Sequence, residues 1–154
     1  MTSVPAAGVV RVPALERRLL LPVIGRTVAL RNLQVALSHA GADNAVVHVV
    51  QLTTLSRRVP LDGSHGDPLD PAPALRQQLV RFGVRAELSI SRGRTNRHAL
   101  ARALAGGYDC IVVATRATGC NGFSAADIAW LAARARGEIV VLSASPGEPR
   151  LSLA

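Results

Sequence analysis

Short, nearly continuous apolar runs alternate along the chain with segments whose apolar positions recur at helical spacing. This alternation is typical of βαβ units and predicts a mainly parallel sheet flanked by helices. Strands of this kind are buried on both faces, which explains why the runs carry few polar residues. Five strands are predicted, over residues 19–24, 45–52, 84–91, 110–114 and 139–142.

Polar residues precede each amphipathic segment between these strands. An N-cap side chain accepts a hydrogen bond from a free amide of the first helical turn. The four predicted N-caps are Thr27, Asp70, Thr95 and Ser124. Pro71 follows its cap at the first helical position, and Asp127 stands three residues after its cap at the capping-box spacing. Four helices are therefore predicted, the first over residues 27–40 with Gly41 as its stop.

The length of 154 residues corresponds to one domain. Residues 53–73 hold four of the nine prolines and predict a long loop, because no hydrophobic period runs through them. Residues 1–16 and 144–154 show no sustained period and are predicted as tails. The expected domain covers residues 17–143 and contains the long loop.

Composition narrows the function classes. Aromatic residues make up 3% of the chain, which disfavours surfaces that bind bases or sugars by stacking. The formal net charge of +8 comes from arginine spread along the chain rather than from one basic run, so a nucleic-acid-associated protein is only a second alternative. No apolar run has membrane-helix length, and no export signal or disulfide framework is visible. We expect a cytoplasmic protein without a membrane partner.

Several segments follow one another in an order and spacing shared with a known family. They are Leu19-Leu-Leu-Pro-Val23, Val47-His-Val-Val50, Arg92-Gly93, Tyr108-Asp-Cys-Ile-Val-Val113 and Glu138-Ile-Val-Val-Leu142. Over about residues 18–143 the chain resembles the universal stress protein family. The resemblance implies a Rossmann-like α/β fold, a doubly wound five-stranded parallel sheet of order 3-2-1-4-5. It also implies a ligand crevice at the carboxyl ends of the first and fourth strands.

Many members of that family bind ATP through a motif, G-x2-G-x9-G-[S/T], that begins at the end of the fourth strand. Its glycines let backbone amides approach the phosphates. Here Ala114 and Ala117 stand at the first two glycine positions, and no register restores the final pair. Ile24 stands where the family has an acidic residue after the first strand. We therefore predict no tight ATP binding and no cofactor, with ATP or AMP bound by an altered, arginine-supported site as the first alternative.

Arginines at the predicted carboxyl ends of the strands form a candidate site for a small anion, because guanidinium groups bind phosphate and carboxylate well. The Gly119-Cys-Asn-Gly122 loop is a second candidate, since free amides before a helix attract anions. The candidate ligand residues are Val23, Gly25, Arg26, Val50, Arg92, Gly93, Arg94, Thr115, Arg116, Gly119 and Gly122. The alternatives are a solvated arginine fringe and a plain flexible turn.

Nothing in the sequence indicates catalysis. The four histidines lack metal-binding spacing, and no nucleophile or phosphate-loop motif appears. Cys110 falls in a predicted strand and is expected to be a small core residue. The prediction is a universal-stress-protein-like binding or regulatory module of the stress response, without enzyme activity or a metal.

The fifth strand is expected to form an unprotected edge of the sheet. The edge residues are Ile139, Val140, Val141 and Leu142, and no proline or inward charge interrupts them. Two copies could pair there edge to edge, and the resemblance implies a homodimer through this strand. The alternative is that the tail folds back over the edge, with Leu151 and Leu153 as its apolar anchors.

Overall fold

The computed structural model describes residues 16–61, 67–117, 121–145 and 147–154 as an α/β domain. In chain order its elements are β1 (Arg17–Ile24), β2 (Thr27–Ala29), α1 (Leu30–Asp43), β3 (Ala45–Thr54), β4 (Asp67–Pro68), α2 (Pro73–Phe82), β5 (Ala86–Gly93), α3 (Asn96–Leu104), β6 (Cys110–Ala114), α4 (Ala125–Arg134), β7 (Glu138–Leu142) and β8 (Arg150–Ser152). No helix in the described ranges combines the length and apolar character that crossing a membrane requires.

The main sheet has the order β4-β5-β3-β1-β6-β7. Its five longer strands are parallel, and in the numbering of the predicted strands they read 3-2-1-4-5. The fold class predicted from the sequence is therefore confirmed. The predicted long loop also contains an unpredicted element, the two-residue strand β4, which pairs antiparallel with β5. Its brevity leaves no period-two signal to detect.

Helices cover both faces of the sheet and divide the core into two layers. On the first face α1 and α2 pack against the strands, with Leu33 and Leu37 fully buried. On the second face α3 and α4 supply Leu100 and Leu131. Leu19 faces the first layer and the adjacent Leu20 faces the second, as expected for a central strand whose side chains alternate between two covered faces.

Two of the four predicted N-caps are confirmed. The Thr95 hydroxyl accepts a hydrogen bond from the His98 amide at 3.0 Å. The Ser124 hydroxyl accepts one from the Asp127 amide at 3.2 Å. Both contacts satisfy amides that the first helical turn leaves free, so these helices begin where their caps predict.

The starts of the first two helices were predicted wrongly. Thr27 lies in β2, and α1 begins only at Leu30, because β2 pairs with β8 before the helix starts. Asp70 does not cap α2, whose N-cap is Ala72. Local signals of this kind are outweighed when a neighbouring strand competes for the same backbone groups.

The C-terminal residues form part of the folded domain. The sequence analysis treats 144–154 as a tail, whereas β8 within it pairs antiparallel with β2. Leu153 is fully buried in the first-face core, and its carbonyl accepts a hydrogen bond from the Ala72 amide at 3.0 Å. We call residues 147–154 the C-terminal segment. The predicted N-terminal tail lies outside the described residues, apart from Glu16.

Candidate functional site

The crevice at the carboxyl ends of β1 and β6 is almost filled. It is the place where the family resemblance puts a ligand, yet it encloses a cavity of only about 30 Å³. Val23 is 5% exposed on its wall. Gly25 follows with φ of +92°, and a Cβ at this position would lie 3.1 Å from the Asn121 Nδ2. The room left is about that of one water molecule.

The C-terminal segment closes one side of this crevice. Glu148 and Arg150 both line the cavity. The Arg150 Nε donates to the Thr27 hydroxyl at 2.8 Å, and its Nη2 donates to the Thr27 carbonyl at 2.9 Å. The Leu30 amide donates to the Pro149 carbonyl at 2.9 Å, so the first helix of the domain begins on this segment. The segment therefore occupies the crevice as a fixed part of the fold.

Two buried side-chain oxygens in the crevice have no hydrogen-bond donor within the described residues. Asn32 is 4% exposed, and its Oδ1 has no hydrogen-bond donor within the described residues. The Glu148 Oε1 is buried in the same cavity and also lacks a donor there. An amide oxygen and a carboxylate oxygen repel phosphate. These two oxygens would therefore oppose a phosphate group placed beside them.

In the described part of the loop between β6 and α4, the backbone amides of Thr115 and Arg116 donate hydrogen bonds within the domain. The Thr115 amide donates to the Leu142 carbonyl at 2.9 Å, and the Thr115 hydroxyl accepts from the Ala144 amide at 3.3 Å. The Arg116 amide donates to the Phe123 carbonyl at 2.9 Å. Gly122 lies against this bridge, where a Cβ would collide with the Thr115 carbonyl. Its role is close backbone packing; Gly119, the other candidate glycine of this loop, lies outside the described residues.

The first turn of α4 already holds a negative charge. The Arg97 Nη2 donates to the Asp127 Oδ1 at 2.8 Å. This hydrogen bond, helped by the Ser124 hydroxyl, lowers the pKa of the Asp127 carboxyl, so it is ionised at neutral pH. A carboxylate at a helix N-terminus satisfies the dipole that would otherwise attract an external anion. The start of α4 is therefore a poor binding site for an anion.

Several arginines of the predicted fringe support the fold. Arg92 pairs with Asp67 of β4, and the Arg94 Nη1 donates to the Val59 carbonyl at 2.7 Å, which fastens the loop after β3. Gly93 lets α3 approach β5, because a Cβ there would collide with the Ala99 amide. These contacts give each of the three candidates a structural role.

The rest of the fringe is exposed at the carboxyl edge of the sheet. Within the described residues these side chains have no hydrogen-bond or ion-pair partner, and they are Arg26, Arg57, Arg58 and Arg116. Their exposure agrees with the alternative stated for these arginines, a fringe of side chains in contact with solvent. No cluster of metal-binding side chains occurs in the described ranges either.

A larger cavity lies on the second face of the sheet, between β3, β5 and the end of α3. It encloses about 670 Å³, and we call it the second-face groove. Its principal lining residues are Arg18, His48, Val50, Ser89, Arg102 and Tyr108. Of the predicted ligand set, Val50 borders this groove. Thr115 and Arg116 border a different, more open depression of about 580 Å³ beside α4. A signal for the groove exists in the alternation of Glu87, Ser89 and Ser91 with apolar residues, which marks one polar face of β5.

Burial alters the titration of two aromatic groups in the groove. His48 and Tyr108 contact edge to face, with ring centroids 5.4 Å apart. Burial lowers the pKa of His48, against the opposing effect of Glu87, so the imidazole is neutral at pH 7. Burial also raises the pKa of Tyr108. In the neighbouring core, burial raises the pKa of Cys110 to about 11, as expected for an unreactive core thiol.

The edge strand β7 stands apart from both cavities. It is the last strand of the sheet, and Val141 is 47% exposed on it. The C-terminal segment pairs with β2 and not with β7. The alternative in which this segment covers the edge is therefore wrong for residues 147–154, and Leu151 and Leu153 pack in the first-face core instead.

These features define a doubly wound α/β domain whose topological crevice is occupied by its own chain. No protein-family model matches the sequence, and no curated protein matches it. A solved universal stress protein in complex with cAMP is 18% identical, with a TM-score of 0.53 over 84% of this chain and 98% of that chain. A family member from Burkholderia pseudomallei is 18% identical, with a TM-score of 0.52 over 85% and 98% of the two chains.

A universal stress protein from Archaeoglobus fulgidus is also similar. It is 14% identical, with a TM-score of 0.52 over 81% of this chain and 92% of that chain. The fold of this protein is the fold of universal stress proteins.

Proposed function

We propose that this protein is a universal-stress-protein-like binding or regulatory module of the stress response, located in the cytoplasm, without enzyme activity and without tight nucleotide binding. The fold supports the first part of the proposal, because solved universal stress proteins match it over most of their length. The closed crevice supports the second part. One of the similar solved proteins is in complex with cAMP, so cAMP is among the nucleotides to test on this chain.

The volume of the crevice is the observation that carries the proposal. Small-molecule sites enclose roughly 300–1,000 Å³, whereas about 30 Å³ remains here. Opening the crevice would require the C-terminal segment to leave, which would break the β2–β8 pairing and expose Leu153. Any nucleotide would also meet the acceptor oxygens of Asn32 and Glu148. Binding energy would be spent on each of these changes.

Calorimetric titration of the full chain with ATP, AMP and cAMP tests the proposal. We expect dissociation constants no tighter than about 0.1 mM for all three nucleotides. The expectation rests on the missing backbone contacts to phosphate, each worth about 1.5–3 kcal/mol for a charged acceptor. A low-micromolar constant, or nucleotide released by acid from the purified protein, would overturn it.

The first alternative keeps a nucleotide or another small anion at the exposed arginines. Arg26 and Arg116 follow the two strands that flank the crevice, and neither side chain has a hydrogen-bond or ion-pair partner within the described residues. If these arginines hold the anion, the double variant Arg26→Ala, Arg116→Ala abolishes binding and leaves the melting temperature nearly unchanged. The matched control is Arg31→Ala, Arg81→Ala, two exposed arginines on the first-face helices. Equal affinity in both double variants would return Arg26 and Arg116 to the solvated fringe.

We also propose that two copies pair antiparallel through β7. The free backbone groups of an edge strand favour pairing with another chain. On this strand the apolar side chain of Val141 is 47% exposed. The contact would be isologous, with the same strand used by both protomers. The C-terminal segment supports the proposal indirectly, because its pairing with β2 leaves it unable to shield β7.

Sedimentation of the full chain at about 50 μM tests the dimer, since assembly depends on protomer concentration. Val141→Arg places a charge on the outer edge and is expected to give monomers. Val80→Arg is the control, because Val80 is 77% exposed on α2 and far from the edge. A monomeric unmodified chain, or a dimer that tolerates Val141→Arg, would contradict the proposal.

A further inference from the structure

The second-face groove contains a cation without a counter-ion. Arg18 is half-buried at the start of β1 and forms no salt bridge with any carboxylate of the described residues. The nearby Asp109 carboxylate accepts instead from the Arg18 backbone amide, at 2.9 Å. A partly buried charge is costly unless an opposite charge or good hydrogen bonds compensate it. The groove therefore presents an unpaired positive charge to whatever occupies it.

The Arg18 guanidinium is held in place before any ligand arrives. Its Nη1 donates to the Gly106 carbonyl, and its central carbon lies 4.8 Å from the centroid of the Tyr108 ring. One of its five N–H groups is used by the carbonyl, which leaves donors for a planar carboxylate. Fixing the side chain in advance reduces the entropy lost when a ligand binds.

The rest of the lining combines apolar walls with a few polar groups. Val50 and Ser89 form the floor on β3 and β5, and Ala103 and Leu69 contribute apolar surface on either side. Among the described residues that line the groove, Glu87 is the one carboxylate, and its side chain is 56% exposed at the rim. Its Oε2 lies 3.9 Å from the Arg85 guanidinium, so its charge is partly neutralised from outside the groove. The cavity of about 670 Å³ falls in the size range of small-molecule sites.

We propose that the second-face groove binds a small organic anion that carries a carboxylate on an apolar body, with Arg18 as the residue that binds the carboxylate. The apolar body packs between the sheet floor and α3, and the carboxylate reaches the free donors of Arg18. The neutral His48 imidazole, whose Nδ1 lies 3.8 Å from the Glu87 Oε1, adds no charge to the groove. This site lies on the opposite side of β1 from the first-face core and is separate from the closed crevice. The proposal goes beyond the function proposed above.

A pair of probe molecules of equal shape separates charge from size. Naphthoate carries a carboxylate on two aromatic rings, and naphthamide is its neutral counterpart. Calorimetry of the full chain is expected to show one naphthoate site per chain, with an affinity at least about tenfold higher than that of naphthamide. Arg18→Gln is expected to remove this preference, and Arg18→Lys to retain part of it.

Two further variants locate the site. Ser89→Phe fills the floor of the groove and is expected to weaken both probes by about tenfold or more. Arg31→Gln removes the same charge as Arg18→Gln from an exposed position on α1, on the other face of the sheet, and should leave both affinities within about twofold. Circular dichroism melting curves confirm that each variant is folded.

Three results would overturn the proposal. One is the absence of naphthoate binding up to about 10 mM. Another is equal affinity for naphthoate and naphthamide in the unmodified chain. The last is an Arg18→Gln variant that behaves like Arg31→Gln. None of these results would bear on nucleotide affinity, so a failure here is distinguishable from a failure of the proposed function.

Discussion

The crevice between β1 and β6 and the second-face groove differ in their free volume and in how their hydrogen-bond donors are used. At the crevice the Arg150 guanidinium donates to Thr27, and in the adjoining loop the Thr115 and Arg116 amides donate to carbonyls of the same chain. About 30 Å³ remains there, against about 670 Å³ in the groove. In the groove, Arg18 keeps donors that no carboxylate of the described residues uses.

The difference teaches that topology alone does not locate a ligand. The carboxyl ends of parallel strands are the general place for ligands in open α/β sheets. Here a short C-terminal segment replaces a ligand at that place, because β8 satisfies the backbone of β2 and Leu153 fills the core behind it. The unused binding capacity of the domain lies instead on the face that α3 covers incompletely.

The largest expected effect concerns the C-terminal segment. Leu153→Ala removes a fully buried side chain from the first-face core and should lower the free energy of unfolding by about 2–4 kcal/mol. Urea denaturation measures it, and the exposed Ser152→Ala should change stability by less than about 0.5 kcal/mol. If Leu153→Ala costs less than about 1 kcal/mol, the segment is weakly attached and the crevice is accessible after all.

A smaller effect is expected in the loop that crosses the end of the crevice. Gly122→Ala places a Cβ against the Thr115 carbonyl and should destabilise the domain by about 1–3 kcal/mol. Gly41→Ala should act in the opposite direction, by about 0.5–1 kcal/mol, because Gly41 lies in α1 and its nearest neighbour would be 3.7 Å away. Equal stability of both variants would remove the packing role of Gly122.

The smallest expected effect is the contribution of His48, a groove residue, to the pH dependence of stability. Burial holds the pKa of His48 below 6.5 in the folded protein, so the unfolded chain binds the proton more readily. This contribution to stability is complete above the unfolded pKa and is lost as the pH falls from there through the lower pKa of the folded protein. Glu87 and Glu16 oppose this shift, while Arg18 and Arg85 strengthen it.

Urea titrations at about pH 7.5 and pH 5.5 measure the loss. His48→Gln should lose less stability on acidification than the unmodified chain. His39→Gln, a substitution on the helical side of the first-face core, should behave like the unmodified chain. An identical acid dependence for His48→Gln would show that the imidazole is not buried as described.

Local sequence signals predicted a helix start correctly where the capping side chain bonds to an amide of the same helical turn. Thr95 and Ser124 cap their helices because the partner amide lies three residues away. The prediction of 110–114 as a strand agrees with β6 at both ends, since this run is buried on both faces. The prediction of Thr27 as an N-cap was wrong because its hydrogen bonds involve β8, a strand more than a hundred residues away.

The sequence by itself determined the alternation of strands and helices, the order of the parallel sheet through its family resemblance, and the absence of the glycine motif that binds ATP phosphates. These features depend on the periodicity and identity of neighbouring residues. Tertiary structure alone decided that residues 147–154 close the crevice and that Arg92 and Arg94 support loops. It also decided that Arg18 faces the groove without a salt bridge to any described carboxylate. Such outcomes depend on groups that are distant in sequence and compete for the same space and hydrogen bonds, which periodicity does not record.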